Sequence, residues 1–364
     1  MLRRWLEGHW RQPAPDWRLV DIVLRPLAFL YGGMVKLRRW LYVNGFFESR
    51  ALPVPVVVVG NVVVGGAGKT PLIIALVQDL MRRGIRVGVV ARGYGRSSRE
   101  CLEVRIGSTV AEVGDEPLLV HLRTQVPTFV AKSRWEAGNA LLAAYPGTEI
   151  IICDDGLQHL ALRRDVQLCV FPPWGIGNGR LLPAGPLRES LQGAWANTID
   201  IVVQSVEGNL QSLNQLIQAP VWEIRRDLSG IAHNALGQAI DLASLAVKDG
   251  PLIYAIAGIA NPESFFNMLR ARGLILWSAM ALKDHYDFAV DGVPKELDGR
   301  SEDAVVLCTE KDAVKLWPVM PAAFAVPLEI SLLSAQVDCL LELVNQRCDE
   351  GKVSRRLEYP LYRS

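Results

Sequence analysis

Apolar positions along the chain alternate between two rhythms. Short runs rich in β-branched residues, Val54-Pro-Val-Val-Val-Val-Gly60, Val87-Gly-Val-Val-Ala91 and the run Glu149-Ile-Ile-Ile-Cys-Asp-Asp155, predict buried strands. Between them Leu72 to Arg83 places Leu72, Ala75, Leu76 and Leu80 at helical spacing. Strands that alternate with helices predict a parallel, doubly wound α/β sheet with its ligands at the carboxyl ends of the strands. The pattern restarts at Pro251-Leu-Ile-Tyr-Ala-Ile-Ala-Gly258, with a helix start at Asn261-Pro-Glu and a strand at Ala304-Val-Val-Leu-Cys308. That restart predicts a second, smaller α/β domain joined near residues 223 to 250, so the expected units are 1–50, 51–225 and 226–364.

The first fifty residues follow neither rhythm. They carry nine basic and four acidic side chains, a local excess of +5. On a helical wheel Arg18, Asp21, Arg25, Lys36 and Arg39 share an arc of roughly 60°, and Trp17, Val20, Val23, Leu24, Leu27, Leu30 and Tyr31 lie opposite. The segment has neither the unbroken apolar stretch of a spanning helix nor the core and cleavage site of a secretory signal. Two readings stand side by side: a helix lying in a membrane interface, and a helix packed on the protein's own core, with Pro26 and Gly32-Gly33 marking a kink or break.

Composition narrows the partners. With 364 residues, 50% of them hydrophobic and 21% charged, the chain is a folded protein with room for two domains. Its 39 basic and 38 acidic residues leave a net charge of +1, so no overall field draws it to nucleic acid. The six cysteines form no CxxC pair and no metal-type spacing, which fits structural thiols in a reducing cytosol.

Between the first strand and the first helix stands Gly60-Asn-Val-Val-Val-Gly-Gly-Ala-Gly-Lys-Thr-Pro71. The strand, glycine loop and helix order is the context a P-loop requires, because backbone N–H groups and a helix N-terminus must converge on phosphates. Gly65, Gly66, Ala67 and Gly68 would form the cradle, Lys69 would reach the terminal phosphates, and Thr70 would offer its hydroxyl to Mg²⁺. The usual G-x-x-x-x-G-K-[ST] pattern wants a glycine where Val63 stands. Asp154 and Asp155 end a strand in the manner of a Walker B acid and are expected near Lys69. Asp115, in Gly114-Asp-Glu-Pro117, reads as a helix N-cap. The glycine- and proline-rich run Gly175 to Glu189 is a functional loop candidate in which Arg180 and Arg188 could meet phosphate.

Taken in order, GNVVVGGAGKTP, Ala91-Arg-Gly-Tyr-Gly-Arg96, VGDEP, Asp154-Asp-Gly-Leu-Gln-His159, GNGRLLPAGPLRE and Thr309-Glu-Lys-Asp-Ala-Val-Lys-Leu316 resemble the tetraacyldisaccharide 4′-kinases, the lipid A 4′-kinases of Gram-negative bacteria. The resemblance runs from the basic amphipathic start to TEKDAVKL, and the stretch beyond about Leu340 adds nothing to it. It implies transfer of the γ-phosphate of ATP, with Mg²⁺, to the 4′-hydroxyl of an acylated glucosamine disaccharide 1-phosphate lipid at the cytoplasmic face of the inner membrane. The family's loop itself resembles G-N-x-x-x-G-G-x-G-K-T-P, so Val63 is expected there. Position by position, the resemblance implies Lys69 and Thr70 as loop residues and Asp115 as the base. His285 of Asp284-His285-Tyr286 is implied as the partner that holds Asp115 across a cleft that closes between domains. Glu116, Asp154 and Asp155 are implied in metal positioning, and Gln158, His159 and Arg188 in nucleotide or phosphate binding. Leu157, where the family often has Phe, reads as a packing change. The alternative is a membrane-associated P-loop ATPase of the partitioning or metal-insertion type. Those ATPases resemble one another in a lysine early in the loop, where this chain has Val63 and Val64.

Overall fold

A computed structural model of the chain describes residues 8, 10, 19–192, 196–206, 217–247, 250–298, 300–301 and 303–349, leaving aside the side chains of 19–21. Trp17 and Arg18 and the side chains of Val20 and Asp21, which belong to the expected amphipathic pattern, lie outside the described residues. The first half comprises α1 (Leu19–Val43), β1 (Val56–Gly60), α2 (Lys69–Arg82), β2 (Val87–Ala91), β3 (Leu102–Glu103), α3 (Val110–Val113), α4 (Asp115–Thr124), β4 (Thr128–Val130), α5 (Arg134–Ala144), β5 (Ile150–Asp154), β6 (Val166–Phe171) and β7 (Ile201–Ser205). The second half comprises β8 (Val221–Leu228), β9 (Ile231–His233), β10 (Ala239–Asp241), α6 (Leu242–Leu245), β11 (Ile253–Ala257), α7 (Pro262–Ala271), β12 (Leu276–Ala281), α8 (Phe288–Asp291), β13 (Val305–Thr309), α9 (Glu310–Leu316), β14 (Phe324–Val326), β15 (Leu328–Ser331) and α10 (Ser334–Asp349).

The first sheet has nine strands in the order β15-β8-β7-β6-β1-β5-β2-β4-β3. Every pairing from β8 to β4 is parallel, and β15 and β3 close the edges antiparallel. Strands β1, β2, β5 and β7 are buried at every residue, which is why they read as continuous Val and Ile runs rather than as alternation. Leu72, Leu76 and Leu80 of α2 pack on one face with Val57, Val59 and Ile152, and Leu141 packs on the other with Val56, Val58 and Ile151. Each such fully buried side chain is worth roughly 1.5–3 kcal/mol.

The second sheet has six strands, β10-β9-β14-β13-β11-β12, parallel from β14 to β12. The expected block 226–364 is not one unit. The chain comes back: β15 pairs with β8 on the edge of the first sheet, and α10 buries Val337, Leu340, Leu341 and Val344 in the core beneath α2. An ion pair from Arg83 at the end of α2 to Asp338 fastens that helix. The stretch around Leu340, blank to motif reading, therefore helps support the helix that carries the glycine loop.

Helix α1 is continuous through both Pro26 and Gly32-Gly33, so of the kink or break expected there, the break does not occur. It lies on the Gly175–Glu189 loop: Ala28 and Gly32 are buried, Tyr31 Oη donates to the Arg188 carbonyl at 2.9 Å, and Arg39 pairs with Glu189 at 2.8 Å. Part of the expected basic stripe thus faces protein. Ile22, Val23, Phe29, Leu30, Met34 and Val43 remain exposed, Phe29 by 83%. No helix among the described residues is long and apolar enough to cross a membrane.

Candidate active site

The parallel register sets the first half of the site. Val59 at the end of β1 stands beside Asp154 at the end of β5, and Asp155 N–H donates to the Val59 carbonyl at 2.9 Å. The chain leaving β1 as a glycine loop is thereby placed against the paired acids. Gly65 (φ 110°) and Gly68 (φ 84°) adopt backbone open to glycine, and a Cβ on Gly68 would meet the Arg226 guanidinium at 2.7 Å. Val63 explains itself: it is buried, packs in the core with Leu187, and forms an antiparallel bridge to it, while Val64 N–H donates to the Pro186 carbonyl. The loop is braced by PAGPLRE, so positive φ is needed only further along.

Asn61, fully buried, ties the loop together. Its amide donates to the Val63 and Gly65 carbonyls and its Oδ1 accepts from Lys69 at 3.2 Å. Lys69 also pairs with Asp155 at 3.2 Å, and Arg188 pairs with the other Asp155 oxygen at 3.2 Å and reaches Gln158 Oε1 at 3.4 Å. Gln158 in turn donates to the Asn61 carbonyl. Arg188 does not pair with its neighbour Glu189, which belongs to Arg39. Burial opposes ionisation of Asp155, but Lys69 and then Arg188 hold its carboxyl below the ordinary range. Asp154 goes the other way: burial, and then the nearby Glu116 and Asp155 charges, push it up against the pull of Lys69 and Arg134. One Asp154 oxygen is buried with no hydrogen-bond partner.

The second half spans both sheets. Asp115 is the first residue of α4 rather than its cap, a place taken by Gly114. Its Oδ1 accepts from the Glu116 N–H at 2.9 Å, and its Oδ2 lies 2.9 Å from Nδ1 of His285. His285 comes from the loop after β12, in left-handed backbone (φ 57°), with its N–H on the Gly258 carbonyl and its ring 5.3 Å from that of Tyr94. Helix α9 adds two lysines: Lys311 bonds Glu116 Oε1 at 3.1 Å, and Lys315 stands 3.7 Å from Asp115 Oδ2. Burial disfavours the charged Asp115, but the His285 hydrogen bond and the cations hold it at about 2. It is therefore a carboxylate at neutral pH, able to accept a proton.

The structure brings Lys69, Asp155, Gln158 and Arg188 into one network, and Asp115, Glu116 and His285 into another. Thr70 is buried at the start of α2. His159 sits to the side: its Nε2 accepts from the Arg134 N–H at 3.4 Å, and burial followed by Arg134 and Arg164 lowers it to about 4, so it is a neutral acceptor. Sequence reasoning missed Asn61, Lys311, Lys315 and Arg226, whose guanidinium donates to the Ala67 carbonyl at 2.7 Å. Asn61 and the two lysines lie inside the quoted motifs, which was their only signal. Arg226 sits in a strand with none.

This geometry agrees with what the chain is similar to. The family profile described as Tetraacyldisaccharide-1-P 4′-kinase matches residues 20–347. A tetraacyldisaccharide 4′-kinase of Acidovorax sp. (strain JS42) is 48% identical over 337 residues, covering 92% of this chain and 93% of that protein. That of Polaromonas naphthalenivorans is 49% identical over 316 residues (85% and 87%), and that of Dechloromonas aromatica is 41% identical over 355 (95% and 99%). Among solved structures, LpxK from Aquifex aeolicus in complex with ATP matches at 28% identity with a TM-score of 0.73, over 90% of this chain and all of that one. The partitioning-type alternative gives way, and the chain belongs to the tetraacyldisaccharide 4′-kinase family.

Proposed function

We propose that the protein transfers the γ-phosphoryl group of ATP to the 4′-hydroxyl of tetraacyldisaccharide 1-phosphate, forming lipid IVA. The observation that carries this reading is the meeting of two unlike halves. One holds a loop lysine tied to Asp155, the other a buried, ionised Asp115, and on top of burial the charge of Glu116, the neighbour of Asp115, reaches across to push Asp154 up. Phosphoryl transfer needs alignment and neutralised oxygens more than a strong base, so a carboxylate of low pKa suffices.

In this reading the loop N–H groups, Lys69 and Arg188 bind and orient the phosphates, with Gln158 keeping Arg188 in place. Asp115, oriented by His285, takes the hydroxyl proton. Thr70, Glu116, Asp154 and Asp155 are the residues that would hold Mg²⁺. The unpartnered Asp154 oxygen and the crowding of its charge by Glu116 and Asp155 fit such a cation. Among the described residues no three His, Cys, Asp or Glu side chains form a ready-made cage, and Mg²⁺, which binds through one or two carboxylates plus phosphates, needs none. When bound, it would supply charge neutralisation on the phosphate oxygens.

The exposed apolar side of α1 is assigned to the membrane, at the cytoplasmic face of the inner membrane. What supports this is the row from Ile22 to Val43 together with the way α1 holds the Arg188 loop through Tyr31 and Arg39. A substrate kept in the bilayer by its acyl chains is then met by a site clamped to the same helix.

The test is transfer of labelled γ-phosphate from ATP to tetraacyldisaccharide 1-phosphate in detergent micelles. A labelled bisphosphate lipid is expected. ATP hydrolysis without any labelled lipid would sink the reading.

A further inference from the structure

The phosphate loop lacks the first glycine of the ordinary pattern, yet three of its carbonyls are held by side chains from outside it. Asn61, fully buried just past β1, donates from its amide to the Val63 carbonyl at 2.6 Å and to the Gly65 carbonyl at 3.1 Å, while its Oδ1 accepts from Lys69 Nζ at 3.2 Å. Arg226 takes the Ala67 carbonyl at 2.7 Å. We propose that Asn61 is a positioning residue that presets the loop for phosphate: by pinning two alternate carbonyls it fixes which way the peptides after Val63 and Gly65 face, and with the same carboxamide it sets the reach of Lys69. This rests on the phosphoryl-transfer reading above.

The chemistry required at position 61 singles out a carboxamide. Two carbonyls need two N–H donors and an ammonium needs an acceptor, and among side chains of this size asparagine supplies both. Aspartate would turn lone pairs on the carbonyls, and serine offers one donor for two. Because the side chain is buried, each lost bond leaves a buried group unpaired. In a trans peptide the C=O and the following N–H point to opposite sides, so holding a carbonyl decides where the next N–H goes. The peptide after Val63 shows the effect: Asn61 takes the carbonyl, and the Val64 N–H donates to the Pro186 carbonyl at 2.9 Å. The peptide after Gly65 is held in the same manner, so the Gly66 N–H faces away from Asn61 and is the one offered to a phosphate oxygen.

A glycine at the start of the loop would give the turn through backbone freedom; here Val63 packs in the core and a side chain holds the turn instead. Asn61 also refers both phosphate-binding cations to one place. Lys69 meets its Oδ1, and its backbone carbonyl accepts at 3.3 Å from Nε2 of Gln158, whose Oε1 receives Arg188 at 3.4 Å. Asn61 itself makes and breaks no covalent bond in the transfer. Its loss should therefore be felt in ATP binding and in the rate, and not in binding of the lipid.

The test uses the full-length protein in detergent micelles, with ATP titration in the absence of lipid and steady-state kinetics with both substrates varied. Asn61→Asp keeps the size of the side chain and the acceptor for Lys69 but loses both donors. It should weaken ATP binding about 10-fold and lower kcat about 10- to 100-fold, the usual loss on removing a supporting partner, with the KM for the lipid within about twofold of wild type. Asn61→Ala, which loses all three bonds, should cost at least as much. A residue that only stabilises the fold would lower the unfolding midpoint and leave both KM values in place; that result overturns the proposal, as does wild-type ATP affinity in either variant. If Asn61→Ala fails to fold, Asn61→Asp decides. A wild type that binds ATP and an Asn61→Asp variant that binds it about 10-fold more weakly, neither of them labelling lipid, would leave the loop role standing and remove the lipid-kinase reading.

Discussion

Around the glycine loop, Lys69 meets Asn61 eight residues away and Arg188 meets Asp155 at a separation of 33, with Asn61 and Asp155 just past the ends of the neighbouring strands β1 and β5 in one sheet. Around Asp115 the contacts span 170 residues to His285 and 195 to Lys311, and they join two sheets. The first cluster is a product of parallel register and exists wherever β1 and β5 pair. The second exists only while α4 and α9 stay together, helped by the ion pair of Arg123 with Glu310. Binding the phosphates and accepting the proton are therefore jobs of separately built halves, and they should fail separately.

Asp115→Asn tests the bridging half. It should lower transfer by about 10²–10⁴, the range of a lost general base, while the KM for ATP stays near its wild-type value. Steady-state kinetics with both substrates varied checks this, and an equal rise in ATP KM would erase the division. Lys69→Ala tests the loop half and should cost about 10²–10³, here with weakened ATP binding, as read by nucleotide titration of the protein.

Leu340→Ala asks whether the returning helix truly belongs to the loop's unit. Thermal or denaturant unfolding should show a loss of about 2–5 kcal/mol, because a fully buried leucine is removed from the core under α2. A change confined to the second sheet would refute the assignment. The smallest effect is a pH effect at His159. Its folded value, about 4, lies below the ordinary 6.5, so the unfolded chain takes up the proton first as pH falls. Stability should be full above about pH 6.5 and decline toward pH 4, by of order 1 kcal/mol given that the ring is partly solvated, and His159→Gln should flatten that slope in a pH series of unfolding midpoints.

Several of these features are legible in the chain before any folding is considered. The strand, glycine loop and helix at Val56–Arg82 follow from local pattern, since periodicity and glycine placement act within a few residues. The expectation that Asp154 and Asp155 lie near Lys69 comes from the carboxyl-end rule for parallel sheets, and Asp155 is found on Lys69. Asp115 and His285 could be paired only through the resemblance, because nothing local links positions 170 residues apart. Pattern placed Arg39 in the basic stripe of α1 but carried no sign of its partner Glu189, which lies on a distant loop. Arg226 and the α10 leucines carried no local mark.

Local chemistry in the sequence by itself determined the β-branched strands, the phosphate loop with Lys69 and Thr70, and the candidate acids. Only the tertiary structure decided that β15 and α10 return to the first sheet, that PAGPLRE braces the loop at Val63, and that Lys311 stands on the far side of His285. The reason is range: strand and turn preferences are settled by a residue's neighbours in the chain, whereas partners across a cleft are chosen by the burial and charge balance of the whole fold.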